Sequence, residues 1–265
     1  MGFVRCGDVV LRYCVQGREN APVLALVNSL GTDARIWEGV VDRLLPHYRV
    51  ISYDKRGHGL SDAPPGDYSL AHHVADLAGL LDHLDVDRLA LAGVSVGGLI
   101  AQGFALAHPE RLNALVLCDT AAQIGSQAMW SDRMAAVRDI GMAALADALV
   151  ERWFSQTYRD ANPDAIAGWR NMLLRMPADG YAGTCATLRD ADLTGDIGAI
   201  ALPTLVVAGE ADLATPVDLV RATADRIAGA QFKIIPGAGH IPSIEQPEVL
   251  AGLIHNFLSE VGHGR

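Results

Sequence analysis

A short turn carrying one hydroxyl, Gly93-Val94-Ser95-Val96-Gly97-Gly98, stands between the apolar run Leu89 to Ala92 and a helix-like stretch from Leu99 to Ala107. Strand, Gly-x-Ser-x-Gly, helix is the arrangement of a nucleophile elbow, in which the serine is strained and small neighbours let strand and helix pass closely. Ser95 is expected alone above the end of a sheet, at a helix N-terminus whose partial positive charge favours a developing oxyanion. A serine attacks a carbonyl only when a base within reach takes its proton, and that base needs a carboxylate to fix its tautomer. Two late segments supply such groups. Gly209-Glu210-Ala211-Asp212 follows the apolar run Leu205 to Ala208, and Gly237-Ala238-Gly239-His240 follows Phe232 to Ile235. Both lie just past the C-terminal ends of predicted strands, where open parallel sheets build their sites. Of nine histidines His240 alone follows a late strand directly; His58, His72, His73 and His83 fall in turns or helices with no partners at metal-ligand spacing. Asp212 is the first choice of acid, with Asp119, also just past a strand, and Glu210 as competitors.

The elements that must position these groups alternate along the chain. Val9 to Val15, with turn residues at Gly17 to Asn20, reads as a hairpin leading into a buried strand, Val23 to Val27. A helix near Ile36 to Leu45, a strand Val50 to Tyr53 and the turn-rich Asp54 to Gly59 follow. Ser69 can cap a helix whose stripe is Leu70, Val74, Leu77, Leu81 and Leu84. A further buried strand runs Ala114 to Cys118, so strands and helices alternate as in a mainly parallel sheet covered on both faces. From Ala122 to Asp192 only amphipathic helical patterns occur, which predicts a helical cap (122–192) inserted into a core of 1–121 and 193–265. Strand and helix then resume: a helix from Pro216 to about Ile227 and a last one ending near Glu260.

With 265 residues, half of them apolar, the chain can bury one large core. A formal net charge of −10 argues against nucleic acid or an acidic membrane as partner. No apolar run reaches membrane-spanning length and no leader pattern opens the chain, so a cytoplasmic protein is expected. Cys6, Cys14, Cys118 and Cys185 lack a C-x-x-C spacing and are expected as free thiols.

The chain order Ser95, Asp212, His240, the stretches Asn28-Ser29-Leu30-Gly31-Thr32 with Trp37, Tyr53 to Ser61, and Leu117 to Gly125, followed by Trp130, Arg133 and Arg152-Trp153-Phe154, resemble the α/β-hydrolase family. Within it they are similar to the 3-oxoadipate enol-lactonases of bacterial aromatic-acid breakdown. The resemblance implies an eight-stranded, mainly parallel sheet with the helical cap after the sixth strand. It favours Asp212 as the acid, and a structural role for Asp119. It places the oxyanion donors at the backbone N–H groups of Val96 and Leu30. Many such hydrolases carry His-Gly where this chain has Asn28-Ser29, so different hydrogen bonds must hold that loop.

The implied reaction opens an anionic enol lactone through an acyl-serine, with no metal or other cofactor. A carboxylesterase, a perhydrolase, a C–C hydrolase or a ligand receptor on the same scaffold are the alternatives. A dehalogenase or epoxide hydrolase would want aspartate at position 95. An acidic protein that binds an anion needs local positive charge, best supplied by arginine. Trp130, Arg133, Met134 and Val137 share one helix face, which makes Trp130 and Arg133 the candidate substrate-binding pair, with Arg138 in reserve.

Overall fold

Four apolar runs, too short for helices and flanked by turn residues, become the middle of the sheet in the computed structural model, which describes residues 1–264. They are β3 (Val23–Val27), β5 (Leu89–Val94), β6 (Leu112–Cys118) and β7 (Thr204–Gly209), whose side chains are almost all buried. With β1 (Gly2–Cys6), β2 (Val9–Gln16), β4 (Arg49–Tyr53) and β8 (Gln231–Ile235) they form one sheet of order β1-β2-β4-β3-β5-β6-β7-β8. The pairs β1/β2 and β2/β4 are antiparallel and all others parallel. Such a sheet has to be covered on both faces. The hairpin turns at Gly7-Asp8, where Gly7 has φ 58°, while Gly17 to Asn20 carries the chain from β2 into β3. Cys6 pairs with Val9 and Cys14 with Ser52 across the sheet, and all four cysteines are free.

The core helices are α1 (Glu38–Leu44), α2 (Leu70–His83), α3 (Val96–Ala107), α8 (Val217–Ala224), α9 (Pro242–Glu245) and α10 (Pro247–Glu260). Ser69 caps α2 by accepting from His72 N–H at 3.2 Å, and the expected stripe faces inward at Val74, Leu77 and Leu81. The last helical stretch is two helices, because Pro247 cannot continue α9 and begins α10 instead. Among the described residues no helix is long and apolar enough to cross a membrane.

Between β6 and β7 lie α4 (Gln127–Trp153), α5 (Gln156–Ala161), α6 (Pro163–Leu174) and α7 (Ala178–Asp190), with no strand. α4 is broken at Gly141, whose φ of 77° and ψ of 169° leave the helical region. Glycine takes that conformation without a steric penalty. α4 packs on α7 and α6, and its Trp130, Met134 and Val137 are buried.

Candidate active site

At the end of β5 the chain turns through Ser95, whose φ of 59° and ψ of −123° are strained for a residue with a side chain. A Cβ on Gly93 would run into the Gly97 carbonyl, and one on Gly97 into the Val27 carbonyl, so the spacing of the two glycines is a packing requirement. Ser95 N–H donates to Cys118 O at 3.0 Å, and Ser95 O accepts from Leu99 N–H at 3.1 Å and Thr120 Oγ1 at 2.6 Å. These bonds fix the turn from three elements at once.

Past β7, the buried Asp212 meets His240 directly, with His240 Nδ1–H donating to Asp212 Oδ2 at 2.8 Å. Asp212 Oδ2 also takes Thr215 Oγ1 at 2.6 Å, and its Oδ1 takes the N–H groups of Ala214 at 2.6 Å and Thr215 at 3.1 Å. Burial alone would raise this carboxyl. The facing His240 and the bonds from Thr215 and Ala214 outweigh it and hold Asp212 below the usual carboxylate range. His240 N–H donates to Trp153 O at 2.9 Å, which ties its loop to the end of α4. Of the competing acids, Glu210 reaches outward to Gly237 N–H at 2.9 Å, and Asp119 lies beneath the Asp212 turn. Ser95, His240 and Leu30 open on one cavity of about 80 Å³ under α4 and α7. That is well below the roughly 300–1,000 Å³ of sites for drug-sized ligands, so this conformation suits a small substrate.

Leu30 sits in the loop after β3. Its backbone N–H has no acceptor among the described residues, whereas Gly31 N–H donates to His58 Nε2 at 3.1 Å and Thr32 N–H to Ser29 O at 3.4 Å. Val96 opens α3, where the first N–H groups have no carbonyl within the helix. The loop is held by Asn28 Nδ2 on Thr32 O, by Thr32 Oγ1 on Ser29 O at 2.9 Å, and by the buried ammonium of Lys55 on Ser29 O at 2.6 Å. Because Gly31 donates to Nε2, the His58 ring carries its proton on Nδ1 and donates to Arg56 O at 3.1 Å. Burial, then the Lys55 charge, push the His58 imidazolium well below its ordinary range.

This bracing answers the question that Asn28-Ser29 raises. Lys55 and His58 were not singled out as site residues from sequence. Their signal was there: β3 and β4 are parallel neighbours, so the loops leaving their C-terminal ends lie side by side.

On the cap side, Trp130 is anchored by Nε1–H donation to Ile124 O at 2.5 Å and lines the cavity with Met129, Leu149 and Trp153. Arg133 opens on the same cavity, donates to Tyr181 Oη at 3.3 Å, and has no carboxylate partner among the described residues. Arg138, the reserve, is instead paired with Asp67 at 3.3 Å and lies outside the cavity. Arg152, near the end of α4, lines the same cavity as Arg133. Reading only the first turns of the cap could not find it. Glu245 was also missed. Its Oε1 takes Gly239 N–H and Ser155 N–H, both at 3.0 Å, and its Oε2 takes Ser155 Oγ at 2.6 Å, which clamps the His240 loop to the cap.

Residues 22–247 match the family model described as the alpha/beta hydrolase fold. The chain is 34% identical over 241 residues to a 3-oxoadipate enol-lactonase of Acinetobacter baylyi, spanning 91% of this chain and 90% of that protein. The solved enol-lactonase of Burkholderia xenovorans superposes with a TM-score of 0.95 at 37% identity, covering 97% of this chain and all of that one. A thermophilic esterase from Thermogutta terrifontis, solved with malate bound, superposes with a TM-score of 0.93 at 31% identity, covering 98% and 99%.

Proposed function

The chain belongs to the α/β-hydrolase family, and from that premise we propose that it is a serine hydrolase that opens the enol lactone of 3-oxoadipate in bacterial aromatic-compound catabolism. The observation that carries this reading is the single cavity onto which Ser95, the Asp212-oriented His240, and the carboxylate-free guanidinium of Arg133 all open. In this reading His240 takes the Ser95 proton, and Ser95 Oγ bonds to the lactone carbonyl carbon. The oxyanion is received by the N–H groups of Leu30 and Val96. Collapse expels the ring oxygen as an enol, which becomes the ketone; an enol leaves more easily than an alkoxide. Water, deprotonated by His240, then cleaves the acyl-serine.

Residues 122–192 act as the cap over a core of 1–121 and 193–265, and Trp130 and Arg133 read the ring and the carboxylate of a small anionic substrate. The chemistry calls on no cofactor and no macromolecular partner, and suits a cytoplasmic enzyme. The esterase relative was solved with malate, a small carboxylate-bearing molecule, bound.

The test is hydrolysis of the enol lactone, followed by loss of its ultraviolet absorbance, beside hydrolysis of a neutral aryl acetate. A large preference in kcat/KM for the lactone is expected. Equal efficiency on both would assign a general carboxylesterase, and stoichiometric binding without turnover a receptor.

A further inference from the structure

Asp119 follows β6 with a φ of 45°, one of three non-glycine residues with positive φ among those described; Ser95 and Asp85 are the others. Its backbone N–H donates to Val207 O at 2.9 Å, and its fully buried carboxyl takes Gly209 N–H on Oδ1 at 2.6 Å. Gly209 begins the turn that presents Asp212, whose own N–H donates back to Gly209 O at 3.2 Å. The strained residue therefore puts its side chain directly under the acid of the site. Asp119 Oδ2 is buried with no hydrogen-bond partner among the described residues, beside the turn that carries the Asp212 carboxylate. An ionised Oδ2 there would be a buried acceptor without a donor, against a second negative charge. A protonated Oδ2 is uncharged and is a donor that can turn to the Asp212 carboxylate.

We propose that Asp119 is a fourth, positioning member of the site: its Oδ2–H donates to the Asp212 carboxylate, fixing the face that Asp212 presents to His240. The role within catalysis rests on the Ser95–His240–Asp212 reading above. The titratable groups facing Asp119 are Asp212 with His240 beyond it, Glu245 of α9, and the adjacent Cys118 thiol. Burial first, and the Asp212 charge second, push the Asp119 carboxyl well above the ordinary range. Asp212 is held below that range by His240, Thr215 and Ala214 against its own burial, so of the two carboxyls Asp212 is the one that favours the charge.

Unfolding of the wild type and Asp119→Asn, measured from about pH 4 to 9, tests the protonation without reference to catalysis. A proton kept by the folded state and released by the unfolded one makes wild-type stability fall as pH rises above the ordinary carboxylate range; asparagine carries no such proton. The ratio of the two unfolding constants is expected to move in favour of Asp119→Asn by about tenfold per pH unit until the folded carboxyl titrates. A flat ratio overturns the proposal.

The positioning role is read from kcat/KM against pH on the lactone. Asparagine can still donate to Asp212 and accept from Gly209, so a loss within about threefold and an unmoved acid limb are expected. Asp119→Ala can do neither, and is expected to lose about 10–100-fold in kcat with KM unchanged. An acid limb in Asp119→Asn lowered by about a pH unit would mean that a negative charge had been removed, and overturns the proposal. Full activity in Asp119→Ala, or a loss confined to KM, overturns it as well. If the alanine variant does not fold, the asparagine measurements decide. Full activity in Ser95→Ala would strike the serine reading alone and leave the unfolding result standing.

Discussion

On the sheet side of the cavity Asp212 accepts four hydrogen bonds, the Ser95 turn is tied to β6, α3 and Thr120, and the Leu30 loop is braced by Lys55 and His58. On the cap side Arg133 has a 3.3 Å contact with Tyr181 Oη, and Arg152 is exposed. Atoms that react must hold their places to a fraction of an ångström. A guanidinium that reads a carboxylate has to meet a ligand that arrives later, and one left without a protein carboxylate keeps its charge available for it. In the proposed reaction the sheet half therefore sets the chemistry, and the cap half sets which substrate receives it.

Substitutions on the sheet side should reduce turnover of every substrate alike. Ser95→Ala removes the proposed nucleophile while leaving the core intact, and is expected to lose roughly 10⁵–10⁶-fold in kcat on lactone and aryl ester equally. Asp212→Asn keeps the packing but removes the charge that fixes His240, with an expected loss of about 10⁴-fold, again on both substrates. Steady-state rates with the two substrates check both. A loss on one substrate alone would break the division between the halves.

Arg133→Ala should do the opposite. Losing one charged hydrogen bond is worth about 1.5–3 kcal/mol, so kcat/KM for the anionic lactone is expected to fall roughly 10–100-fold while a neutral aryl ester changes little. Equal losses on the two would make Arg133 part of the scaffold, acting through Tyr181.

Lys55 lies on the sheet side but carries a stability cost of its own. Burial pushes its ammonium well below the ordinary lysine range, although Asp54 and Asp33 pull it back up in part. A lysine whose folded titration is depressed makes the fold less stable as pH falls below the unfolded value. Lys55→Met should therefore be more stable than wild type, by more at pH 6 than at pH 9, as read by urea unfolding. The same change removes the Lys55 donor from Ser29 O and loosens the Leu30 loop, so kcat should fall about tenfold on both substrates.

The sequence makes the sheet half far more legible than the cap half, for physical reasons. A strained elbow demands glycine at Gly93 and Gly97, and strand ends deliver Asp212 and His240 to one rim, so type and spacing carry the information. Asp119 could be placed after a strand, but that its carboxyl lies under Gly209 depends on the β6/β7 register and a positive φ, which no local pattern displays. In the cap, helical periodicity puts Trp130, Arg133, Met134 and Val137 on one face. It says nothing of Arg152, because the break at Gly141 resets the phase of α4. The last helix ends at Glu260 as its pattern predicts, and Pro247, which lacks an N–H to continue α9, divides that short helix from it.

The smallest effect belongs to Arg138, and it sharpens the contrast within a single helix. Five residues separate it from Arg133, and at about 100° per residue that turns it roughly 140° away, out of the cavity and toward the core domain. There it meets Asp67, which also pairs with Arg189 at 3.0 Å, in a pair whose side chains are both nearly half exposed. Exposed pairs of this kind contribute about 0–1 kcal/mol, and the second arginine keeps Asp67 compensated when the first is removed. Arg138→Ala is therefore expected to leave kcat/KM unchanged on both lactone and aryl ester and to shift the urea midpoint barely. Set beside Arg133→Ala, it separates the position of a cation from its mere presence. If overall positive charge on the cap were what draws in the anionic lactone, the two variants would lose alike, more at low ionic strength and less as salt is added. A loss confined to Arg133→Ala and persisting in salt instead identifies a direct contact made inside the cavity.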